Sequence, residues 1–267
     1  MAMDVVLSAQ GLTKTYGAGK DALQVLGGIS FAVNRGEFVS VVGPSGCGKT
    51  TLLFAIAGLQ GVTSGTVTFN GRPVTAPPKG VAVVFQDYSR SLFPWKNNRD
   101  NVAFGMARIQ GLSAAQKRDK AQEMLDAVGL AGFADKYPWQ LSGGMQQRVA
   151  IARGLASQSE LLLLDEPLAA VDAQTRADMQ DLLLDLAIRF KQTCVLVTHD
   201  VEEAVYMADR VVVLTRRPTV VDHEIVIELG KKRDQITTRE DPRFLAARHD
   251  VMTSIRGQRA HAPASAA

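Results

Sequence analysis

Gly43-Pro44-Ser45-Gly46-Cys47-Gly48-Lys49-Thr50-Thr51 packs glycines, one lysine and paired hydroxyls into nine residues. Glycines let the backbone curl so that successive N–H groups face an anion, and a helix starting there adds the positive end of its dipole. Lys49 supplies a charge for the outer phosphates of a nucleotide, and the Thr50 hydroxyl suits Mg²⁺. A second group, Asp165-Glu166, places two carboxylates after Leu161-Leu162-Leu163-Leu164, at the end of a buried strand. Strand side chains alternate. Asp165 is therefore expected to face Mg²⁺ through its waters, while Glu166 projects differently and holds the water that attacks a γ-phosphate. A third group, Leu141-Ser142-Gly143-Gly144-Met145, is another glycine-rich helix start, with Ser142 as N-cap and two glycines exposing the first N–H groups. One nucleotide in one domain does not need two cradles. The second anion site is expected to serve the nucleotide of another copy, since the chain has no tandem repeat of the first loop. Cys47 leaves two readings open: a thiolate favoured by Lys49 and a helix N-terminus, or an inert packing thiol.

The elements that must position these residues follow from the hydrophobic pattern. Glu37 to Val42 reads as a buried strand before the first loop, and Thr51 to Ala57 as a helix ending at Gly58. From Val5 to about Phe85 the chain is rich in Val, Thr, Gly and Phe. Alternation in Ser64 to Phe69, followed by Asn70-Gly71-Arg72-Pro73, predicts antiparallel strands and hairpins. Helical periodicity marks Ala114 to Val128 and Met145 to Ala156. The apolar runs at 161–164, 193–197 and 210–214, separated by helices, predict a parallel sheet covered on both faces. Thr75 to Lys79 is expected to be an exposed turn. The pattern weakens after Gly230, and the residues from Arg259 to Ala267 are expected to be disordered.

Bulk properties narrow the setting. Hydrophobic content of 46% and charge of 21% are those of a soluble globular protein. No apolar run approaches the ~20 residues of a membrane span, and Met1-Ala2-Met3-Asp4 does not open a secretory signal. Two cysteines, Cys47 and Cys194, fit a reducing compartment. The net charge of +3 resides from Arg216 onward, with 10 Lys/Arg against 7 Asp/Glu; the rest balances at 20 and 20. That excess fits either a solvated surface or a face toward anionic lipid or an acidic partner. It is not a nucleic-acid footprint, so no nucleic-acid partner is expected.

Together these motifs resemble the ATP-binding subunit of an ATP-binding cassette (ABC) transporter over residues 5–230, with residues 231–267 as a C-terminal extension. The Walker A loop is Gly43 to Thr51, the Q-loop Val84-Phe85-Gln86-Asp87 and the signature Leu141 to Met145. The Walker B strand is Leu161 to Glu166, the D-loop Leu168-Ala169-Ala170-Val171-Asp172 and the H-loop Val197-Thr198-His199-Asp200. The resemblance implies an α/β fold: a P-loop NTPase, ABC ATPase core with an antiparallel β subdomain and a helical signature subdomain near residues 99–158. It implies ATP and Mg²⁺ as cofactors. Tyr16 would stack on adenine; Gly43, Pro44, Ser45, Gly46, Cys47, Gly48, Lys49, Thr50 and Thr51 would hold the phosphates. Thr50, Gln86 and Asp165 would hold the metal, and Glu166, His199 and Gln86 would act in hydrolysis. Two copies would close head-to-tail over two ATP molecules, with Ser142, Gly143, Gly144 and Asp172 acting across the interface.

The implied partners are a second copy, transmembrane permease subunits and, indirectly, a periplasmic or extracellular solute-binding protein. The implied place is peripheral, at the cytoplasmic face of the inner membrane. Two positions depart from the family pattern: Met145 replaces a common Gln in the signature, and the D-loop ends Ala-Ala-Val-Asp where Ala-Leu-Asp is usual. Neither removes a phosphate contact. The wording of Asp87-Tyr88-Ser89-Arg90-Ser91-Leu92-Phe93-Pro94-Trp95, expected to form a rigid contact surface, is similar to importer ATPases for nitrate, sulfonate, taurine and bicarbonate, as is Asp172 to Arg176. The alternatives are an exporter subunit, a non-transport ABC ATPase and a silent scaffold. Against them stand the lack of fused spans, of a second cassette or coiled-coil insertion, and the presence of Lys49, Asp165, Glu166 and His199.

Overall fold

A computed structural model describes residues 4–87, 91–169 and 171–260, with side chains described as far as residue 257. These residues form two compact units, one from residues up to 78 and from 193 onward, the other from residues 79–192.

In the first unit, β1 (Val5–Tyr16), β2 (Leu23–Asn34), β4 (Ser64–Phe69) and β5 (Arg72–Pro73) form an antiparallel sheet in the order β2-β1-β4-β5. Asn70 and Gly71 take φ of 48° and 72°, the pair of left-handed residues that a two-residue hairpin between twisted strands requires. The strand β3 (Phe38–Val42) is buried at all five positions. It pairs in parallel with β8 (Thr193–Thr198) on one side and β9 (Arg210–Leu214) on the other, and β10 (Val221–Val226) adds antiparallel to β9. Helix α1 (Lys49–Ile56) begins two residues earlier than the apolar pattern suggests, directly on the glycine loop. It ends where Gly58 (φ 69°) turns the chain: Gly58 N–H donates to the Ala55 carbonyl and Leu59 N–H to that of Phe54, closing the last turn. Thr75, Ala76 and Pro77 are exposed, as the turn reading requires.

Two more elements of this unit, α6 (Val201–Met207) and α7 (Thr237–Glu240), precede α8 (Pro242–Ala260). The weak pattern after Gly230 conceals α8. It buries Phe244, Ala247 and Val251, a one-sided stripe at spacings of three and four too sparse to stand out in nineteen residues. The helix includes Arg259 and Ala260, which the sequence assigns to a disordered tail; residues 261–267 lie outside the described residues.

The second unit contains β6 (Val81–Val84), α2 (Asn98–Gly105), α3 (Ala114–Ala127), α4 (Gly143–Ala156), β7 (Leu161–Asp165) and α5 (Ala173–Arg189). Strands β6 and β7 run parallel, Val81 opposite Leu161 through Val84 opposite Leu164. The stretch from Val5 to Phe85 is therefore not antiparallel throughout. Strands β3 and β6 each pair with parallel partners, and their predominantly apolar runs, lacking the alternation of β4, are the local mark of that difference. Ser113 starts α3 with a capping box completed by Gln116. Helices α2 and α4 approach so closely that a Cβ on Gly105 would lie 2.3 Å from the Arg153 carbonyl oxygen; only glycine fits there.

Candidate active site

In the first unit, β3 ends at Val42, level with Thr198 of β8 and Val213 of β9. Gly43 and His199 leave the sheet there, beside Leu214, the last residue of β9, at the carboxyl edge where a parallel sheet carries its ligand sites. The loop that follows β3 is shaped by its glycines. Gly46 and Gly48 take φ of 72° and 111°, and a Cβ on Gly48 would lie 2.5 Å from the buried Val25. Gly48 caps α1 with no side-chain cap, so the first turn presents N–H groups without intrahelical carbonyls to the loop's concavity. Lys49 is only 5% exposed, and its ammonium donates to the carbonyls of Gly43 (3.0 Å) and Pro44 (3.3 Å), which stations it across the loop. The Thr50 side is exposed. Such a cradle of backbone amides, dipole and one cation fits a polyphosphate, and an exposed Thr50 hydroxyl fits an accompanying hard cation.

Tyr16, at the end of β1, sits beside this loop. Its hydroxyl is 3.4 Å from Thr51 Oγ1 and accepts from Gln60 Nε2 at 2.6 Å. A half-exposed ring is thereby pinned at its hydroxyl end, with the Lys14 ammonium over it at 5.2 Å from the centroid. His199, following β8, is exposed, and Asp200 caps α6 by accepting from the N–H groups of Glu202 and Glu203.

In the second unit, the register of Val84 with Leu164 makes Gln86 and Glu166 leave β6 and β7 at the same carboxyl edge. Asp165 is the last residue of β7 and 4% exposed, whereas Gln86 is exposed and Glu166 half-buried. Glu166 does not owe its direction to strand alternation. It has already left the strand, with a left-handed backbone (φ 42°), and its carbonyl accepts from Ala169 N–H to close a turn. A non-glycine residue in this region is uncommon and stores strain. Ser142, exposed, accepts from Met145 N–H at 3.4 Å and caps α4. Asp172 caps α5, taking both the Thr175 N–H (3.0 Å) and the Thr175 hydroxyl (2.6 Å). Those two bonds, the hydroxyl first, hold its carboxyl below the usual range. A Cβ on Gly144 would lie 2.9 Å from Thr175 Cγ2, so the serine- and aspartate-capped helix starts are neighbours.

A family model described as "ABC transporter" matches residues 26–169. The chain belongs to the ABC transporter family. It is 42% identical to the nitrate import ATP-binding protein NrtD of Synechocystis, across 92% of this chain and 94% of that one. It is 43% identical to the taurine import ATP-binding protein TauB of Yersinia pestis, across 95% and 98%. Among solved structures it superposes on a dimeric, post-hydrolysis state of the ATP-binding cassette MJ0796 bound to ADP and Pi. That match has a TM-score of 0.74 and 32% identity, covering 84% of this chain and all of that one. The fold is the P-loop NTPase fold of ABC ATPases, with the antiparallel sheet and the helices α2–α4 in their expected kinds.

As an ABC ATPase, the chain keeps Walker A and the H-loop in its first unit and the Q-loop, signature, Walker B and D-loop in its second. Tyr88, Ser89 and Arg90, read as contact surface, and Ala170 of the D-loop lie outside the described residues. Of the two readings of Cys47, the structure realises the packing thiol. Cys47 is buried, and burial pushes its pKa up against the smaller opposing pull of Lys49. Arg217 and Thr219 were not among the residues the sequence singled out, yet Arg217 donates to the Gly46 carbonyl and Thr219 to that of Cys47. Both lie more than 170 positions along the chain from their partners, where no local pattern can announce them. No helix among the described residues is long and apolar enough to cross a membrane.

Proposed function

We propose that this chain is the ATP-hydrolysing subunit of an ABC importer for a small anionic solute of the nitrate, sulfonate, taurine or bicarbonate kind. The observation that carries the reading is the near full-length identity to nitrate and taurine import ATP-binding proteins, joined to an intact phosphate loop. In this reading Tyr16 stacks on adenine and the loop from Gly43 to Thr51 wraps the phosphates. Thr50, Gln86 and Asp165 hold Mg²⁺, which when bound neutralises phosphate charge. Glu166 accepts the proton of the attacking water, and His199 holds that water at the γ-phosphate. Ser142, Gly143, Gly144 and Asp172 act on the nucleotide of a second copy, the dimeric cassette among the solved relatives supporting that arrangement.

The permease surface we assign lies in the second unit. A groove of about 760 Å³ is lined by Phe85, Asp87, Phe93, Phe104, Arg108 and Arg153, among others. Arg153 anchors its wall by donating to the Ser91 carbonyl (2.6 Å) and hydroxyl (2.9 Å), and Trp95 stands nearby in sequence at 71% exposure. An apolar groove walled by arginine, with the Trp95 ring 5.4 Å from that of the lining Phe93, has the make-up of an interface core. A membrane partner places the chain peripherally at the cytoplasmic face of the inner membrane, with a solute-binding protein acting on the far side.

The deciding experiment is Glu166→Gln. ATP hydrolysis should fall at least about 100-fold, and gel filtration with ATP should show a stable dimer. Normal turnover by a monomeric variant would overturn both the base and the two-copy site. Uptake of labelled nitrate or taurine by cells expressing the chain with its permease, abolished by the same substitution, tests the solute class.

A further inference from the structure

The segment Thr215 to Val220, between β9 and β10, is a closed loop. Thr215 N–H donates to the Val220 carbonyl (3.0 Å) and Val220 N–H donates to the Thr215 hydroxyl (2.9 Å). Thr219, fully buried, is docked onto β2 by two backbone bonds: its N–H to the Val25 carbonyl (2.9 Å) and the Gly27 N–H to its own carbonyl (2.8 Å). Its side chain is then left facing the phosphate loop, where its hydroxyl donates to the Cys47 carbonyl. Two residues earlier, Arg217 Nε donates to the Gly46 carbonyl, with its guanidinium 3.5 Å from where a Gly46 Cβ would stand. Pro218 between them packs on Gly27, whose Cβ would lie 3.0 Å away.

Two consecutive peptides of the loop thus have their carbonyls held from behind. A trans peptide points its C=O and N–H in opposite directions. Anchoring the Cys47 carbonyl on the outer side therefore aims the Gly48 N–H inward, while the Gly46 carbonyl held by Arg217 backs the Cys47 N–H, which closes the loop's own turn on the Pro44 carbonyl (3.2 Å). Hydrogen-bonded carbonyls also polarise their amides, which strengthens the donors facing an anion. Gly48, whose peptide Thr219 orients, is the residue whose left-handed backbone starts α1, so this peptide is the one most free to flip without a support.

We propose that Arg217 and Thr219 are positioning residues for ATP, forming a strap from β2 and the β9–β10 loop that fixes the Gly46–Cys47 and Cys47–Gly48 peptides of the phosphate loop and, through them, the phosphate-facing amide of Gly48. The proposal rests on nucleotide phosphates occupying this loop, and calorimetric ATP binding by the parent chain, lost in Lys49→Ala, establishes that separately. Thr219→Val keeps the shape and removes the donor. It should weaken ATP binding about five- to tenfold and raise KM to match, with kcat changed less than about twofold. Thr219→Ser should restore the parent KM. Arg217→Ala, at an exposed position, should raise KM about threefold with a nucleotide-free melting temperature within about 2 °C of the parent. Unchanged ATP affinity in both variants would overturn the proposal, as would a Ser variant as defective as Val, or a fall in kcat at constant KM.

Discussion

Walker A and the signature both start a helix with glycine, and the two starts are built differently. At the phosphate loop every glycine is compelled. Gly46 and Gly48 have left-handed backbones, Gly43 is pressed between Leu214 and Cys47, and Gly48 sits on Val25. The loop is braced on its outer side by Arg217 and Thr219 and bridged by Lys49. At the signature, Gly143 and Gly144 are ordinary helical residues behind a serine cap, and a Cβ on Gly144 would meet only the end of the Thr175 side chain. One start is a finished concavity formed by its own fold. The other is an open, exposed helix end. On the proposed two-copy reading, catalysis that depends on both is gated by association.

Substitution separates the two most sharply. Gly48→Ala forces a left-handed alanine onto a buried valine and should destabilise the fold by about 1–3 kcal/mol while abolishing ATP binding, read by urea unfolding and calorimetry. Gly144→Ala asks only a threonine methyl to move. It should leave ATP affinity of the isolated chain within about twofold while ATPase activity falls at least about 100-fold. Equal losses of affinity in both variants would break the distinction. Thiol chemistry gives the next largest contrast. Cys47, buried and raised in pKa, should resist alkylation until the chain unfolds, whereas a Ser142→Cys variant, at an exposed helix start, should label at least about tenfold faster in the native state. The smallest effect is acid dependence at the D-loop. Asp172 has a depressed folded pKa, so its cap contributes fully above the unfolded value of about 4 and is lost as pH falls through the folded one. Relative to Asp172→Asn, the parent's advantage in urea unfolding should hold at neutral pH and vanish as pH falls below the ordinary carboxylate range; an advantage independent of pH would remove the charge from that cap.

Much of the site is legible as short words because its chemistry is local. A glycine loop followed by lysine and threonine, a serine before two glycines, and an acidic pair closing an apolar run each carry their reason within ten residues. The hairpin at Asn70-Gly71 and the Ser142 cap of α4 are legible for the same cause. Less was visible where the reason lies elsewhere in the chain. Glu166 was read as one more alternating strand residue, but a turn to Ala169 sets its backbone. Helix α8 shows too few core residues to announce itself. At Cys47 the sequence leaves a thiolate and a packing thiol open, and the fold around the loop, with Thr219 held on the Cys47 carbonyl, decides for the buried thiol.

The sequence by itself determined what can touch a phosphate: which backbone turns left-handed, which lysine follows, and which carboxylates end a strand. Tertiary structure alone decided what holds those groups in aim. Register between β3, β8 and β9 brings Gly43, His199 and Leu214 to one edge, and β2 with Thr219 braces the loop from behind. Such contacts join residues more than a hundred positions apart, and they are selected by the packing of whole strands, which no local run of residues encodes.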